Sequence, residues 1–181
     1  MSNKAVFLDR DGTINIDKGY VHTKDDFEYL PGAKDALIQL QKLGYKLIII
    51  TNQSGIGRGY FTEREYWDFD KWIRDDLSMS GINITDSFYC PHLPDAPVAR
   101  YAVDCDCRKP RIGLFEQAIK KYDIDPNNSI VVGDKSRDLS ICKKYPDMKG
   151  FLLYQKANYT EENIYHIDGG LKEILRALRE E

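Results

Sequence analysis

The sequence predicts an α/β fold, namely a doubly wound (Rossmann-like) parallel sheet with helices on both of its faces. Two observations lead to this class. The short apolar runs of the chain do not alternate with polar residues, which is typical of strands buried on both faces of a sheet. Segments with the apolar spacing of helices separate these runs, and this order of elements is typical of parallel sheets. The chain has 181 residues, so we expect a single domain over 1–181, because two cores of about 90 residues each would be small.

In the first half of the chain, two helices separate three strands. Pro31 precedes the first helix and Gly44 follows it, as is typical of helix starts and stops. The second helix opens with a capping box, in which Thr62 and Glu65 each satisfy a backbone NH group of the other. In chain order, the predicted elements are a strand at 5–8, a helix at 32–43, a strand at 47–50, a helix from 62 to 77 and a strand at 87–89.

The second half continues this alternation after a segment at 90–107 that has neither a helical nor a strand period. No internal repeat and no linker composition divides the chain, and we expect no large cap domain. The remaining predicted elements are a helix near 114–122, a strand at 130–132, a helix from about 138, a strand at 151–153 and an amphipathic helix with Leu171, Ile174, Leu175 and Leu178.

The charge balance excludes some classes of function. Lysine and arginine number 26 and aspartate and glutamate number 29, which gives a net charge of −3. So small a charge provides no field for general binding to nucleic acids or membrane surfaces. No apolar run approaches the roughly 18 residues that span a bilayer, and the apolar stretch before Asp9 is too short for the core of a signal peptide. We therefore expect a cytoplasmic enzyme without nucleic-acid or membrane partners.

Polar residues whose side chains can take part in catalysis follow the predicted strands or precede the predicted helices. In a parallel α/β sheet, ligands bind beyond the carboxyl ends of the strands. Residues from remote parts of the sequence are therefore expected to converge at one edge of the sheet, and they are Asp9, Asp11, Thr51, Lys109, Asp134 and Asp138.

Each of these residue types has a role in phosphoryl transfer. Neighbouring carboxylates repel one another, and Mg²⁺ relieves this repulsion while it neutralises phosphate oxygens. A carboxylate is ionised at neutral pH, so it can attack phosphorus without a separate base. A second carboxyl group can protonate the leaving oxygen and then activate water, while a hydroxyl and an ammonium group hold the oxygens that gain charge. Alone, each feature has an ordinary explanation as a turn or a surface residue, but their joint occurrence favours catalysis.

Four short segments carry a resemblance to a known family. They resemble the four motifs of the haloacid dehalogenase-like phosphatases, in the same order along the chain, and the similarity extends over about 4–153. The segments are FLDRDGT at 7–13, TNQSG at 51–55, RKP at 108–110 and VGDK at 132–135.

The resemblance implies a role for each matching position. Asp9 would be the nucleophile, and Asp11 would be the general acid and base. Asp9, the backbone carbonyl of Asp11 and Asp134 would bind Mg²⁺, and Asp138 would support this cluster indirectly. Two residues would stabilise the phosphoryl group, namely Thr51 and Lys109.

Within the superfamily, the chain resembles the heptose bisphosphate phosphatases, whose sister family is the histidinol-phosphate phosphatases. Twelve residues separate His92 from Cys105, which is similar to the heptose enzymes, and the segment at 14–22 resembles their first substrate loop. The resemblance implies hydrolysis of the C7 phosphate of D-glycero-D-manno-heptose 1,7-bisphosphate through an aspartyl-phosphate, in the synthesis of nucleotide-activated heptose for surface polysaccharide. Histidinol phosphate is the alternative substrate. The implied substrate-binding residues are Asp17, Lys18, Gly19, Tyr20, Asn52, Gln53, Ser54, Arg108 and Lys135.

A second metal is expected in the segment at 90–107. Cys90, His92, Cys105 and Cys107 flank a proline-rich stretch that cannot bury much apolar surface. Three thiolates and one imidazole suit four-coordinate Zn²⁺ without an open position, which is typical of a structural site. Reduced cysteines of the core are the alternative, but the resemblance also implies a zinc loop here. We hypothesise that this zinc positions the Arg-Lys pair that follows Cys107.

A signalling receiver is the main alternative from another class, since this non-enzymatic phospho-acceptor also collects acids, a threonine and a lysine at a sheet edge. Receivers phosphorylate an aspartate on a later strand and need no Asp-x-Asp after the first. The enzyme is therefore favoured. No exposed apolar stripe is left unassigned, so we expect a monomer whose partner is a small sugar bisphosphate.

Overall fold

The structure, a computed structural model, describes residues 3–154 and 163–178. Within these ranges, six strands form one sheet, and every neighbouring pair of strands is parallel. The strands are β1 (Ala5–Leu8), β2 (Lys46–Asn52), β3 (Ile84–Cys90), β4 (Ile130–Gly133), β5 (Lys149–Leu153) and β6 (Ile164–Ile167).

The strand order is β3-β2-β1-β4-β5-β6, so β1 lies in the interior of the sheet between β2 and β4. This is the order of a doubly wound, Rossmann-like fold, and it confirms the predicted fold class. A receiver domain would have the order 2-1-3-4-5 instead, so the sheet does not support the receiver alternative. The carboxyl ends of β1, β2 and β4 lie side by side, which brings the residues that follow them together.

Helices cover both faces of the sheet. Consecutive residues of β1 point to opposite faces. Val6 and Leu8 pack in one cluster with the helices at 33–42, 63–79 and 171–177, whereas Ala5 and Phe7 pack in another cluster with the helix at 113–122. Among the described residues, none of the helices is both long and apolar enough to cross a membrane. The helices are α1 (Ala33–Lys42), α2 (Ser54–Gly57), α3 (Glu63–Met79), α4 (Gly113–Tyr122) and α5 (Leu171–Ala177), and 3₁₀ turns occur at Ala99–Tyr101, Pro126–Asn128 and Ser136–Lys143.

The start of α3 confirms the predicted capping box. The backbone NH of Glu65 donates to the Thr62 hydroxyl at 3.2 Å, and the backbone NH of Thr62 donates to the Glu65 carboxylate at 2.7 Å. The five predicted strands and the helices α1, α3, α4 and α5 are all present, with boundaries that differ by a few residues.

Three elements differ from the prediction. The segment Ser136–Lys143 forms 3₁₀ turns rather than an α-helix, although its start has a capping box in which the Asp138 carboxylate accepts a hydrogen bond from the backbone NH of Lys135 at 3.0 Å. The strand β6 was not predicted, since this edge strand is only half-buried and contains no apolar run. The single-turn helix α2 was not predicted either.

The segment between β3 and α4 contains one short 3₁₀ turn among its residues. Its middle part packs against α2, where Ala96 and Tyr101 join a cluster with Ile56 and Phe61. Its later part packs against the core of the sheet. The backbone NH of Val98 also donates to a carbonyl of α2 at 3.1 Å. The segment therefore lies over one end of the sheet, close to the residues that follow β2.

Candidate active site

A polar cleft of about 390 Å³ opens beyond the carboxyl ends of β1, β2 and β4. Its volume is in the range of small-molecule sites. Lys18, one of the implied substrate-binding residues, does not line this cleft. Its ammonium lies at the surface, 3.1 Å from the Glu28 carboxylate. The cleft brings together the other implied substrate, catalytic and acidic residues, namely Asp9, Asp11, Asp17, Gly19, Tyr20, Thr51, Asn52, Gln53, Ser54, Arg108, Lys109, Asp134, Lys135 and Asp138.

Lys109 lies at the centre of the acidic end of the cleft. Its Nζ is 2.7 Å from Oδ1 of Asp9, 2.8 Å from Oδ1 of Asp138 and 2.7 Å from the carbonyl of Ile50. The segment is held in place by Asn52, whose side chain accepts from the backbone NH of Lys109 at 3.0 Å and donates to its carbonyl at 3.1 Å. Lys109 thus bridges the ends of β1 and β2 and the turn after β4.

Burial and nearby charges shift the pKa values of Asp9 and Lys109 in opposite directions. Burial raises the pKa of Asp9 above its ordinary value, although the Lys109 ammonium acts to lower it. Burial alone would lower the pKa of Lys109, but Asp9 and Asp138 outweigh it and raise that pKa. Lys109 therefore stays charged, and the carboxylate form of Asp9 depends on nearby positive charge.

The carboxylate of Asp11 is surrounded by donors. Asn15 Nδ2 donates to Oδ1 at 3.0 Å, and Gln53 Nε2 donates to Oδ2 at 3.1 Å. Gln53 Nε2 also donates to the Thr51 hydroxyl at 2.9 Å. Arg10, which is not among the implied site residues, donates to both oxygens of Asp11. Asp11 is therefore held in a defined orientation at the edge of the cleft.

The acidic end of the cleft fits a divalent cation with a preference for oxygen ligands. One carboxylate oxygen each from Asp9, Asp134 and Asp138 lies within 4.8 Å of the others. Burial also raises the pKa of Asp134, so a cation would compensate the cost of keeping these groups ionised together. Carboxylate oxygens suit Mg²⁺. Asp138 accepts from Lys109 through one oxygen and from the backbone NH of Lys135 through the other, whereas Asp9 and Asp134 pair with the ammonium groups of Lys109 and Lys135.

Two glycines allow the acidic residues to approach one another. A Cβ atom on Gly12, which has a φ of +85°, would lie 2.4 Å from Oδ2 of Asp134. A Cβ atom on Gly133 would lie 2.3 Å from Cβ of Asp138. Any side chain at either position would therefore push an acidic residue out of the cleft.

Positive side chains line the rest of the cleft. Besides Arg108 and Lys135, they include Arg58 and Arg137, neither of which belongs to the implied set. Hydrogen bonding to Asp134 raises the pKa of Lys135, so this ammonium is charged. The position of Arg137, in the turn after β4, is the signal that could have identified it. The cleft thus has an acidic end and a cationic rim.

The four expected zinc ligands form a tight group. The Sγ atoms of Cys90, Cys105 and Cys107 are 3.1 to 3.6 Å apart, and Nδ1 of His92 lies 3.2 Å and 3.7 Å from two of them. Ligands around a tetrahedral zinc, with bonds of about 2.3 Å to sulfur and about 2.0 Å to nitrogen, are roughly 3.5–3.8 Å apart. Burial raises the pKa of the Cys90 and Cys107 thiols, so a cation is needed to hold them as thiolates. The donor set fits zinc.

Comparisons with known proteins agree with this geometry. A family model described as polynucleotide kinase 3 phosphatase matches residues 4–150. The D-glycero-beta-D-manno-heptose-1,7-bisphosphate 7-phosphatase of Pasteurella multocida is 49% identical over 172 residues, which cover 89% of this chain and 92% of that protein. The D-glycero-alpha-D-manno-heptose-1,7-bisphosphate 7-phosphatase of Photorhabdus laumondii is 50% identical over 150 residues, or 83% of this chain and 82% of that protein.

A solved structure has the same fold. The crystal structure of D,D-heptose 1,7-bisphosphate phosphatase from B. bronchiseptica, complexed with magnesium and phosphate, matches with a TM-score of 0.83 at 27% identity and covers 98% of each chain. The resemblance found in the sequence motifs therefore extends to the whole fold.

Proposed function

Because this chain belongs to the D-glycero-D-manno-heptose-1,7-bisphosphate 7-phosphatase family, and to the broader family of the polynucleotide kinase 3 phosphatase model, we propose that it hydrolyses the C7 phosphate of D-glycero-D-manno-heptose 1,7-bisphosphate. It is a phosphoric monoester hydrolase with a haloacid dehalogenase-like fold. The observation that carries the proposal is the contact of the buried Lys109 with Asp9 beside a group of carboxylates that fits Mg²⁺.

In the first step, the Asp9 carboxylate attacks phosphorus. A bond forms between an Asp9 oxygen and phosphorus while the bond from phosphorus to the C7 oxygen breaks, and Asp11 donates a proton to the departing oxygen. The sugar leaves as heptose 1-phosphate. The Lys109 ammonium, at 2.7 Å from Asp9, supports this step because it favours the ionised nucleophile.

In the second step, Asp11 has given up its proton and acts as the base. It removes a proton from water, the water oxygen attacks phosphorus, and the bond between phosphorus and Asp9 breaks. Inorganic phosphate leaves and Asp9 returns to its carboxylate form. The Thr51 hydroxyl and Lys109 stabilise the phosphoryl oxygens, which gain charge in both transition states.

Asp9, Asp134 and the backbone carbonyl of Asp11 would hold Mg²⁺. When bound, the ion neutralises phosphate oxygens and reduces their repulsion from the carboxylates. Asp138, with both of its oxygens occupied by Lys109 and Lys135, positions the lysine rather than the ion.

The cationic rim supports a substrate with two anionic groups. The acidic end accepts the phosphate that is transferred, and Arg108, with Arg58 and Arg137, offers guanidinium groups to the phosphate that remains. Asp17, Gly19 and Tyr20 face the sugar from the loop between β1 and α1. Lys18 is not proposed as a ligand of the second phosphate, because it pairs with Glu28 outside the cleft. The other proposed contacts of substrate are Asn52, Gln53, Ser54 and Lys135.

Cys90, His92, Cys105 and Cys107 would hold a structural Zn²⁺ in a loop insert at about 90–107 of one domain over 1–181. Their unbridged thiols support a reducing compartment, so we place the enzyme in the cytoplasm. It acts there as a monomer, and its product enters the synthesis of nucleotide-activated heptose for surface polysaccharide.

A direct comparison of substrates tests the proposal. We expect kcat/KM for D-glycero-D-manno-heptose 1,7-bisphosphate to exceed kcat/KM for histidinol phosphate by at least about 100-fold. A site that binds two phosphate groups loses most of its binding energy when the substrate carries only one. Equal or greater activity on histidinol phosphate, under the same Mg²⁺ concentration, would contradict it.

A further inference from the structure

Arg10 lies between the two proposed catalytic aspartates in the sequence, but its side chain is only 1% exposed and does not line the cleft. A buried guanidinium is costly unless charged and polar groups surround it. Its contacts therefore indicate what the side chain does in the fold.

The guanidinium binds the carboxylate of Asp11 through both oxygens. Nη2 of Arg10 donates to Oδ1 at 3.0 Å and to Oδ2 at 2.9 Å, and Nε donates to Oδ1 at 3.3 Å. Asn15 and Gln53 donate to one oxygen each. Because a planar guanidinium fork restricts the plane of a carboxylate, Arg10 restricts the rotation of the Asp11 side chain more than either amide does.

Other parts of the fold hold Arg10 itself. Its Nη2 donates to the carbonyl of Val21 at 2.5 Å, at the end of the loop that carries the proposed sugar contacts. Its guanidinium carbon lies 5.3 Å from the centre of the Phe69 ring on α3. Asp70, which is 1% exposed on the same helix, attracts it electrostatically. Arg10 thus has fixed neighbours on the side away from the cleft.

We infer that Arg10 is the positioning residue of Asp11 and that it links the orientation of this carboxylate to α3 and to the substrate loop at Val21. The inference rests on the proposed role of Asp11 as general acid and base. Since Arg10 does not line the cleft, it acts on the reaction through its contacts, of which the hydrogen bonds to Asp11 are the most numerous.

Substrates with different leaving groups distinguish a positioning role of Arg10 from a purely structural one. The C7 oxygen of the sugar needs a proton as it departs, whereas p-nitrophenolate is a weak base and departs without one. The ratio kcat/KM reports only the steps up to departure of the leaving group. A misoriented Asp11 therefore lowers kcat/KM for the sugar phosphate selectively, whereas a smaller folded fraction lowers both values by the same factor.

We would measure kcat/KM for the wild type, Arg10→Lys and Arg10→Met on the heptose bisphosphate and on p-nitrophenyl phosphate. We expect a loss of about 100-fold on the sugar substrate, at the lower end of general acid catalysis, and less than about threefold on the aryl ester. Arg10→Lys keeps the positive charge without the planar fork. Arg74→Met is the control, because Arg74 pairs with Asp70 at 2.9 Å and makes none of the hydrogen bonds to Asp11.

Equal losses on the two substrates, or no loss on either, would overturn the inference. If Arg10→Met does not fold, Arg10→Lys decides, and the ratio of the two substrates within one preparation does not depend on the folded fraction. A wild-type protein that hydrolyses neither ester would refute the proposed function itself, which is a separate outcome.

Discussion

The absence of a side chain at Gly12 allows Asp134 to approach the other carboxylates of the cleft. A Cβ atom there would lie 2.4 Å from Oδ2 of Asp134, and the φ of +85° is one that L side chains rarely adopt. Gly12→Ala should therefore displace Asp134 from the group of carboxylates. We expect the apparent dissociation constant for Mg²⁺ to rise at least about tenfold, which corresponds to about 1.4 kcal/mol. Initial rates measured as a function of Mg²⁺ concentration test this.

Gly81→Ala is the matched control. Gly81 has a φ of +77°, but no atom lies within 4 Å of the position that its Cβ would take. The control should lose about 1 kcal/mol of stability through backbone strain while its Mg²⁺ dependence stays that of the wild type. A Gly12→Ala variant with unchanged Mg²⁺ dependence would show that the glycine does not govern the approach of Asp134.

Arg108 should distinguish the bisphosphate from simple phosphate esters. Its Nη1 donates to the carbonyl of His92 at 3.1 Å, which orients the guanidinium and leaves other donors for an anion in the cleft. Arg108→Ala is expected to raise KM for the heptose bisphosphate about 10- to 100-fold, since a hydrogen bond to a charged group contributes roughly 1.5–3 kcal/mol. Steady-state kinetics should show little change in KM for p-nitrophenyl phosphate.

Arg100→Ala serves as the control for Arg108, since Arg100 stacks on Tyr101 and does not line the cleft. Both KM values should stay close to those of the wild type in this control. If Arg108→Ala changes the two KM values by the same factor, Arg108 has no special contact with the second phosphate.

Motif residues were predictable from sequence because each follows a strand whose direction and burial can be anticipated. Asp9 and Asp134 follow apolar runs, and parallel strands bring such positions together. The roles of Arg137 and Lys18 could not be predicted in this way. A lysine in a polar loop has many surface partners, and only the structure shows that Lys18 pairs with Glu28. Arg10 was missed because its partner is the neighbouring Asp11, a contact that spacing alone does not reveal.

At the scale of elements, a partly exposed ion pair, to which Tyr29 also contributes, joins α1 to α3. The Asp76 carboxylate on α3 accepts from Lys34 Nζ at 2.8 Å and from the Tyr29 hydroxyl at 2.7 Å. These two hydrogen bonds hold the pKa of Asp76 below its ordinary value. Because the carboxyl group has a pKa of about 3.9 in the unfolded chain, its stabilising effect is present above that pH and is lost as the pH falls through the lower folded pKa.

Asp76→Asn should therefore lower the free energy of unfolding by about 1 kcal/mol at neutral pH, because the partly exposed pair is screened by solvent. The difference from the wild type should shrink as the pH falls below about 4. Chemical denaturation at several pH values measures both quantities.

Asp75→Asn is the control for Asp76, because Asp75 pairs with Lys71 at 2.6 Å on the exposed face of the same helix. Its effect on stability should be below about 0.5 kcal/mol at every pH. A difference between Asp76→Asn and the wild type that grows as the pH falls would contradict the account.

Helices and strands with a full apolar face were predictable, whereas elements determined by tertiary contacts were not. The helix α3 has an apolar residue at every turn and a capping box, so its sequence specifies it locally. The edge strand β6 contains a histidine and is only half-buried, so its pairing with β5 defines it. The turns at Ser136–Lys143 carry Asp138, whose carboxylate contacts Lys109 from a remote part of the sequence at 2.8 Å.

For the molecule as a whole, we expect the proposed zinc loop to couple stability to activity. Cys107 directly precedes Arg108, whose guanidinium binds the carbonyl of His92, another expected zinc ligand. Removal of zinc should therefore lower the melting temperature by about 10 °C, which corresponds to roughly 3 kcal/mol for a domain of this size. Activity should fall as well, even after excess Mg²⁺ is restored. Calorimetry and rate measurements on protein of known zinc content test this.

Single substitutions distinguish the loss of a proposed zinc ligand from the loss of a cysteine elsewhere in the fold. Cys105→Ser should reduce the zinc content below one ion per chain and reproduce the loss of activity. Cys142, which is buried outside the group, offers the control Cys142→Ala, and this variant should retain its zinc. A zinc-free protein that is fully active with Mg²⁺ would refute the coupling between the proposed zinc loop and Arg108.

The overall architecture was predictable because continuous apolar strands separated by helices leave few alternatives to a parallel sheet. The order of strands was not predicted in detail, although it decides which strand ends are neighbours. With β1 between β2 and β4, Lys109 meets Asp9 across 100 positions of sequence. The packing of the 90–107 segment over α2 could not be anticipated, since it depends on scattered contacts rather than a period.

Phosphorus nuclear magnetic resonance tests the central claim most directly, because it follows both phosphates of D-glycero-D-manno-heptose 1,7-bisphosphate in one sample. With the wild type and Mg²⁺, the C7 signal should be replaced by inorganic phosphate while the C1 signal persists. With a folded Asp9→Asn variant, both signals should remain. Release of the C1 phosphate by the wild type, or release of the C7 phosphate by Asp9→Asn at a similar rate, would contradict the account.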